Sequence, residues 1–436
     1  MDVALPTDVT VADLLPVLLE MAREPSPDGG ARHGGWCLAR IGQAPLEPSS
    51  TLTGCGVLDG ELLALRARAG SPPPPLFDDV IDAVAVATPD GYRPWTDSTA
   101  RVVGSGAAVA ALTTATVALY LAGPGLAEAA VAGFAAALLV GIGAVLSRVY
   151  RDRAAGTVLA ASALPMAMVA GLYAVPDGPG RPNVLLACVA VLVTATAAVG
   201  LLGSGVIVFT AAASAAVLAA GASVVAVLVA HPVAGVAAGA AAGALVGLSA
   251  APRLTIQLAR LPLPVVPATA RELDDDTAEF PDFATIERQA AVGHQYLTGL
   301  VIGFGVSAAV GGLLAARQGT AGVVLAATVA TVLMLRARTF ANGVQAVALL
   351  LAGMATVGGL IIGWVVDADD HTRALWVFGS AVVLAGLALV LGLVFPQRRF
   401  SPPLRRGVEL AEALLLAGVL PVALAVMGLY TTMRGL

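Results

Sequence analysis

Residues Val102–Gly123 read VVGSGAAVAALTTATVALYLAG, and the nature of this stretch decides the fold. It carries no charged side chain from end to end. Its length matches what an α-helix needs to cross roughly 30 Å of hydrocarbon, which takes about 20 apolar residues. It lacks the period-two alternation of polarity that a barrel strand with a wet inner face would show. In hydrocarbon every backbone N–H and C=O must be satisfied within the segment, which leaves the helix.

Working outward, ten further runs of the same kind follow: Leu126–Leu146, Gly156–Val175, Val184–Leu202, Gly205–Ala230, Pro232–Ala250, Tyr296–Ala316, Gly319–Leu335, Val344–Val366, Ala374–Phe395 and Ala413–Tyr430. Together they predict an α-helical polytopic membrane domain of about eleven spans over residues 102–436, with a cytoplasmic loop over 251–295. The connections at Ser204 and His231 are very short, and the eighth run is short as well, so ten or twelve spans are the alternatives. Composition agrees. The chain is 58% hydrophobic and 12% charged, with a mean hydropathy of +0.87, against about 25% charged residues in a soluble domain.

All 24 basic residues are arginine. With the excess of Ala, Gly, Val and Pro, this points to GC-rich coding of the actinobacterial kind. Arginine placement sets the orientation, because basic loops are retained in the cytoplasm. With the N-terminus inside, the inner loops hold Arg148, Arg151, Arg153, Arg253, Arg260, Arg271, Arg288, Arg336, Arg338, Arg398, Arg399, Arg405 and Arg406. The outer loops and tail hold only Arg181, Arg317, Arg373 and Arg434. Thirteen against four puts the N-terminus in the cytoplasm and, with an odd span count, the C-terminus outside. The first 20 residues include Asp2, Asp8, Asp13 and Glu20 and do not read as a secretory signal.

The spans are poor in chemistry. None carries Asp, Glu, Arg or His in its apolar core, and Glu128 and Glu412 lie within a turn of an edge, where a side chain can snorkel. Ion-coupled transporters usually keep ionisable groups at depth and broken helices in matching halves. No internal repeat is visible, Pro165 and Pro421 read as tolerated kinks, and Thr194, Thr196, Thr210 and Ser214 can bond their own helix carbonyls. Cys37, Cys55 and Cys188 make no disulfide framework. Asp274-Asp275-Asp276, with Glu272, Glu279 and Asp282, reads as a solvated or partner-facing loop. Asp367-Ala368-Asp369-Asp370-His371 lacks the glycine and distal glutamate of a calcium loop. His33, His231, His294 and His371 are scattered, and Gly203-Ser204-Gly205 has no lysine of a phosphate-binding loop. The reading is therefore a non-enzyme with no catalytic, cofactor or metal residues and no nucleic-acid surface.

What the spans offer instead is small residues in register. Gly235, Gly239, Gly243 and Gly247 recur every fourth residue, as do Gly299, Gly303, Ser307 and Gly311; Gly359 and Gly363 repeat the spacing once. Such spacing puts them on one helix face, where a second backbone can come close. That second helix belongs to the same chain or to another subunit.

Residues 1–68 read as a small α+β domain. They hold a strand at Val3–Leu5 and a helix over Val11–Arg23, with Thr10 as N-cap and Asp13 three residues on. Leu14, Leu15, Leu18 and Leu19 give its apolar face. Strands follow at Trp36–Ile41 and Leu62–Arg66, the latter entered through an Asp59-Gly60 turn. This order suggests a β-grasp, ubiquitin-like domain whose first hairpin lacks a strand. Residues 69–101 form the tether: the prolines Pro72 to Pro75, then an amphipathic segment with Phe77, Asp78, Asp79 and Asp82. That segment reads equally as a solvated helix face or as a partner-docking helix. Trp95 and Arg101 stand before the first span, as interfacial anchors do.

The stretch Val3-Ala4-Leu5-Pro6, the helix Val11-Ala12-Asp13-Leu14-Leu15-Pro16, the run from Gly56 to Arg66 and the tether from Phe77 to Val84 closely resemble the EccD family, the integral membrane component of type VII (ESX) secretion systems. The resemblance implies a ubiquitin-like domain followed by eleven spans in the plasma membrane. It also implies assembly with EccB, EccE and the motor ATPase EccC, and pairing into a homodimer that encloses membrane lipids. Its cytoplasmic domain would help position the ATPase, which supplies energy and substrate selection. Family members usually carry a strand ahead of the Val3–Pro6 stretch; the expectation is that the start codon is misplaced or that the domain lacks an edge strand. The competing reading is a stand-alone secondary transporter or exporter with a regulatory ubiquitin-like domain.

Overall fold

In the computed structural model, residues 3–22, 35–40, 44–67, 96–176, 178–229, 232–261, 283–394 and 402–430 are described. The chain divides into two compact units, Met1–Trp95 and Thr96–Leu436.

In the N-terminal unit the first helix, α1 (Val11–Ala22), is started by Thr10. Its Oγ1 donates to Asp13 Oδ2 at 2.6 Å and accepts the Asp13 N–H at 3.4 Å. This satisfies one of the free amides of the first turn. Apolar residues three and four apart then bury one face: Val11, Leu14 and Leu18 pack with Leu38, Leu46 and Leu52. Leu38 belongs to β1 (Trp36–Arg40), which pairs antiparallel with β2 (Leu63–Ala67) in the register Leu38↔Leu65. Val3–Leu5, expected as a strand, is not one. Among the described residues the sheet has two strands, and Val3–Leu5 pairs with neither; Leu5 instead packs against the helix core.

The second unit is a helical bundle. Its helices are α2 (Asp97–Leu121), α3 (Leu126–Arg148), α4 (Arg153–Tyr173), α5 (Arg181–Leu202), α6 (Val206–Val229), α7 (Val233–Leu258), α8 (Phe283–Ala316), α9 (Gly319–Ala337), α10 (Gly343–Asp367), α11 (Phe378–Val394) and α12 (Pro402–Val426). Ten of them are long and apolar enough to cross a membrane. The remaining one, α11, has 17 α-helical residues and continues a helical path through Asp370–Thr372 and a π-helical turn, Arg373–Val377. Among the described residues each of the eleven expected runs lies mainly on a helix. Helices α4 and α12 run through Pro165 and Pro421.

Several boundaries differ from expectation, for one reason. An apolar window marks the hydrocarbon, whereas helical hydrogen bonding continues into the polar zone beyond it. Helix α7 runs on to Leu258 and α8 starts at Phe283, so only 259–282 lie between them rather than 251–295. At 34 residues, α8 is about 51 Å long, well beyond the hydrocarbon thickness. Helix α12 begins at Pro402, well ahead of Ala413. Arg101 falls inside α2 instead of before it.

Two large cores hold the bundle, with a smaller cluster of Ala129, Ala132, Val169 and Tyr173 between α3 and α4. Ala136, Val140, Ala160, Ala163, Ala195 and Phe209 join α3, α4, α5 and α6. A second core of α7, α8, α9, α10 and α12 centres on Leu245, Leu248, Val301, Leu325, Leu333 and Leu349. Helices α6 and α8 pack directly on one another and link the two cores.

Candidate functional site

The close approaches between helices are made by small residues, and α8 carries several of them. A Cβ on Gly299 would stand 2.7 Å from Thr210 Cβ and 2.8 Å from the Ile207 carbonyl oxygen; on Gly303 it would collide with Ala211 and Ser214. Both neighbours belong to α6. A Cβ on Gly311 would lie 2.8 Å from the Ala237 carbonyl of α7, and one on Gly359 would lie 2.6 Å from the Leu313 side chain. Ser307 turns its hydroxyl onto the Gly303 carbonyl at 2.7 Å.

The α7 series divides. Gly235 and Gly247 meet Met427 at 3.3 Å and the Phe304 ring at 3.0 Å, while Gly239 only grazes the Met427 side chain at 3.9 Å. Gly243, and Gly363 on α10, have nothing within 4 Å. The buried stripe of α7 is built largely from Ala237, Ala238, Ala241, Ala244 and Ala251, so alanine rather than glycine lines most of its contact. Arg101 is exposed on α2. Phe77, Asp78, Asp79, Asp82 and Trp95, like the connection at His231 and the Asp274–Asp276 cluster, lie outside the described residues.

Several approaches were missed in the sequence, among them Gly171 of α4, whose built Cβ would collide with Ala187 Cα of α5. Gly143 and Gly156 face one another where α3 crosses α4, and Gly353 of α10 sits 3.0 Å, by its built Cβ, from the Ala330 carbonyl of α9. The Gly143–Gly156 contact had a signal: Gly143 and Ser147, and Gly156 and Ala160, stand four apart.

Most buried polar groups find partners within the bundle; among the described residues Gln289 Oε1 and Arg336 Nε are the exceptions there. Gln345, 2% exposed, donates to Thr298 Oγ1 at 2.9 Å and so ties α10 to α8. Nearby, Asn342 caps α10 through Val344 N–H and bonds His294 Nε2 at 2.7 Å. Asn183 donates to the Leu172 and Val175 carbonyls at the end of α4. Thr194, Thr196 and Ser214 bond carbonyls of their own helices. Glu412 departs from expectation. Instead of snorkelling it is buried and pairs with Arg336 at 3.5 Å and Arg338 at 3.2 Å, because the two guanidinium groups ending α9 compensate its charge.

Arginines also close helix ends. Arg148 donates to the Gly200 and Leu201 carbonyls of α5, Arg181 to Ala226 of α6, and Arg373 to Val365 and Val366 of α10. Each brings positive charge to the negative end of a helix dipole and satisfies carbonyls without an intrahelical partner. The acidic turn after α10 is used locally: Asp369 accepts from Thr372 N–H and Oγ1, and Asp370 pairs with Arg373. Among the described residues no group of His, Cys, Asp and Glu is arranged to hold a metal ion.

Apolar spans joined through glycines and alanines, carrying a small α+β unit in front, define a polytopic helical membrane protein with an N-terminal ubiquitin-like domain. The family described as an EccD-like transmembrane domain matches residues 100–436, and that of the WXG100 secretion-system protein YukD matches residues 1–65. The chain therefore belongs to the EccD family of ESX, or type VII, secretion systems. The ESX-4 secretion system protein eccD4 of Mycobacterium tuberculosis is 33% identical over all of this chain and 95% of its own length. EccD3 of the ESX-3 system of Mycolicibacterium smegmatis is 29% identical over 99% and 94%. Among solved structures, protomer 1 of the ESX-3 core complex has the same fold, with a TM-score of 0.65 at 24% identity over 99% of this chain and 97% of that one. A subunit of the MycP5-free ESX-5 inner membrane complex gives 0.60 at 21% identity over 90% and 96%.

Proposed function

We propose that the chain is a non-catalytic scaffold subunit of a type VII secretion core complex in the plasma membrane. In this reading its N-terminus is cytoplasmic and its C-terminus outside. Two copies pair around membrane lipids, EccB and EccE assemble with them, and the N-terminal domain docks the motor ATPase EccC. The observation that carries the scaffold role is where the buried polar groups go. Gln345, Asn183, Glu412 and the hydroxyls of Thr194, Thr196 and Ser214 bond to helices of the same chain, so these groups are committed to packing rather than to a ligand. A transporter would need ligand-facing polar groups near the membrane centre.

The small residues take matching roles. Gly235, Gly247, Gly299, Gly303, Ser307, Gly311 and Gly359 join helices within the chain, with Gly239 at the margin. Gly243 and Gly363, open on their own subunit, are offered to the second copy. Phe77, Asp78, Asp79 and Asp82 contribute to partner docking, and Trp95 and Arg101 anchor the chain at the membrane edge.

The test is affinity purification of the tagged full chain from its own membranes, followed by native electrophoresis and mass spectrometry of the co-migrating proteins. A large assembly holding an ATPase and two copies of this chain is expected. A lone monomer, together with normal secretion in a deletion strain, would sink the proposal.

A further inference from the structure

In the N-terminal unit one loop is held with unusual care for something so exposed. Leu58, Asp59, Gly60 and Glu61 form a turn closed by Glu61 N–H on the Leu58 carbonyl at 3.1 Å. Gly60 takes φ +78°, the left-handed value a type II turn requires at its third position. The Glu61 carboxylate reaches back to Leu58 N–H at 2.9 Å and receives Arg40 Nε at 2.5 Å. The same guanidinium donates through Nη2 to the carbonyls of Cys55 and Gly56, at 3.2 and 2.7 Å. Arg40 lies in β1, so the loop is clamped to the sheet at both of its ends. What this clamp presents to solvent is Leu58 and Leu62, each 76% exposed. Apolar anchors on a rigid mount lose little entropy on binding, which is what a docking surface needs.

We infer that the Leu58–Leu62 loop is the docking surface of the N-terminal domain, and that it seats in an apolar pocket with a basic rim on a partner protein. This rests on the reading above, in which that partner is the motor ATPase. Charge selects the occupant. Residues 1–68 hold nine acidic side chains against five arginines, and Asp59 stands between the two leucines. An anionic membrane face would repel this surface. A second copy would set Asp59 near its own image across a two-fold contact. The tether fits no better, because Asp78, Asp79 and Asp82 accompany its apolar side chains.

The experiment uses the full chain in its membrane complex, with a photo-crosslinking residue at position 58 in one arm and the double variant Leu58→Ser, Leu62→Ser in another. The crosslink is expected to go to the ATPase. The double variant should cut ATPase retention about tenfold, as loss of central anchors does, while the melting temperature and the remaining membrane subunits stay unchanged. Asp59→Arg should weaken retention too, and raised salt should weaken it in the native chain. Crosslinks to lipid, to a second copy or to the tether would overturn the inference, as would full retention by the double variant. If the unaltered chain retained no ATPase, the reading above would fall instead.

Discussion

Gly143 of α3 and Gly156 of α4 meet backbone to backbone. A Cβ on Gly143 would stand 2.7 Å from the Gly156 carbonyl oxygen, and one on Gly156 would stand 2.6 Å from the Gly143 carbonyl oxygen. Neither contact can be relieved by rotating a side chain, because the obstacle on each side is main chain. Gly143→Val or Gly156→Val should therefore force the helices apart. We expect a loss of about 1–3 kcal/mol, the usual range for overpacking, read as a lower melting temperature in detergent. Gly243→Val, made into open space on its own subunit, should leave the melting temperature of the isolated subunit unchanged. Equal effects at the two sites would contradict the packing described for this crossing.

The Arg40–Glu61 clamp makes the N-terminal unit sensitive to acid. The hydrogen bond from Arg40 and, after it, the Leu58 N–H hold the Glu61 carboxyl below its ordinary value of 4.5. A carboxyl depressed in the folded state stabilises it fully above the unfolded value and loses that contribution as pH falls through the folded one. The stabilisation should thus be intact at neutral pH and disappear on acidification below about pH 4.5. The protection of the 55–62 loop amides, taken relative to their intrinsic exchange at each pH, should fall over that range in the native chain. Glu61→Gln should exchange faster at neutral pH and respond less to acid. A loop whose exchange tracked pH identically in both chains would rule the clamp out.

Glu412 supplies a sharper contrast. It sits between Arg336 and Arg338, and truncating it would leave two partly buried cations at the end of α9. Breaking a buried ion pair from one side costs about 3–5 kcal/mol. Glu412→Ala should accordingly loosen α12 from α9 and lower the melting temperature sharply. The triple change Glu412→Leu, Arg336→Leu and Arg338→Leu removes all three charges together and should recover much of the loss. If the single and triple variants melted alike, the charges would have no bearing on the contact.

The contrast between these sites says how far the sequence could be read. The apolar helices of the bundle, the Thr10 cap and the helix face of Leu14 and Leu18 were legible because each rests on a local rule of length, capping or period. Crossings such as Gly299 with Ile207 were half legible: the spacing named the residue, but only the fold names its neighbour. The α7 ladder was half legible too: Gly243 meets nothing within its own chain, since a four-residue repeat picks a helix face without saying whether that face turns inward or toward another subunit. Gln345 and Glu412 drew little notice because polarity within a single helix does not disclose a partner 47 or 74 residues away. Val3–Leu5 failed for the same reason: a strand is defined by what it pairs with.

The last prediction concerns orientation and the arginines that stand against it. Of the four on the side read as outside, Arg181 donates to the Ala226 carbonyl, and Arg373 donates to Val365 and Val366 while pairing with Asp370. Both occupy the negative ends of helix dipoles, where a cation is favoured. In the proposed orientation helix capping accounts for these two arginines outside, so they do not weigh against the arginine asymmetry. Arg373→Gln should then leave the topology intact and lower stability by only about 0.3–1 kcal/mol, the range for a charge at a helix terminus. A reporter fused after Leu436 should remain on the outer face in both the native chain and the variant. The same reporter found in the cytosol of the native strain would invert the proposed arrangement, and with it the assignment of the N-terminal domain to the side where an ATPase could meet it.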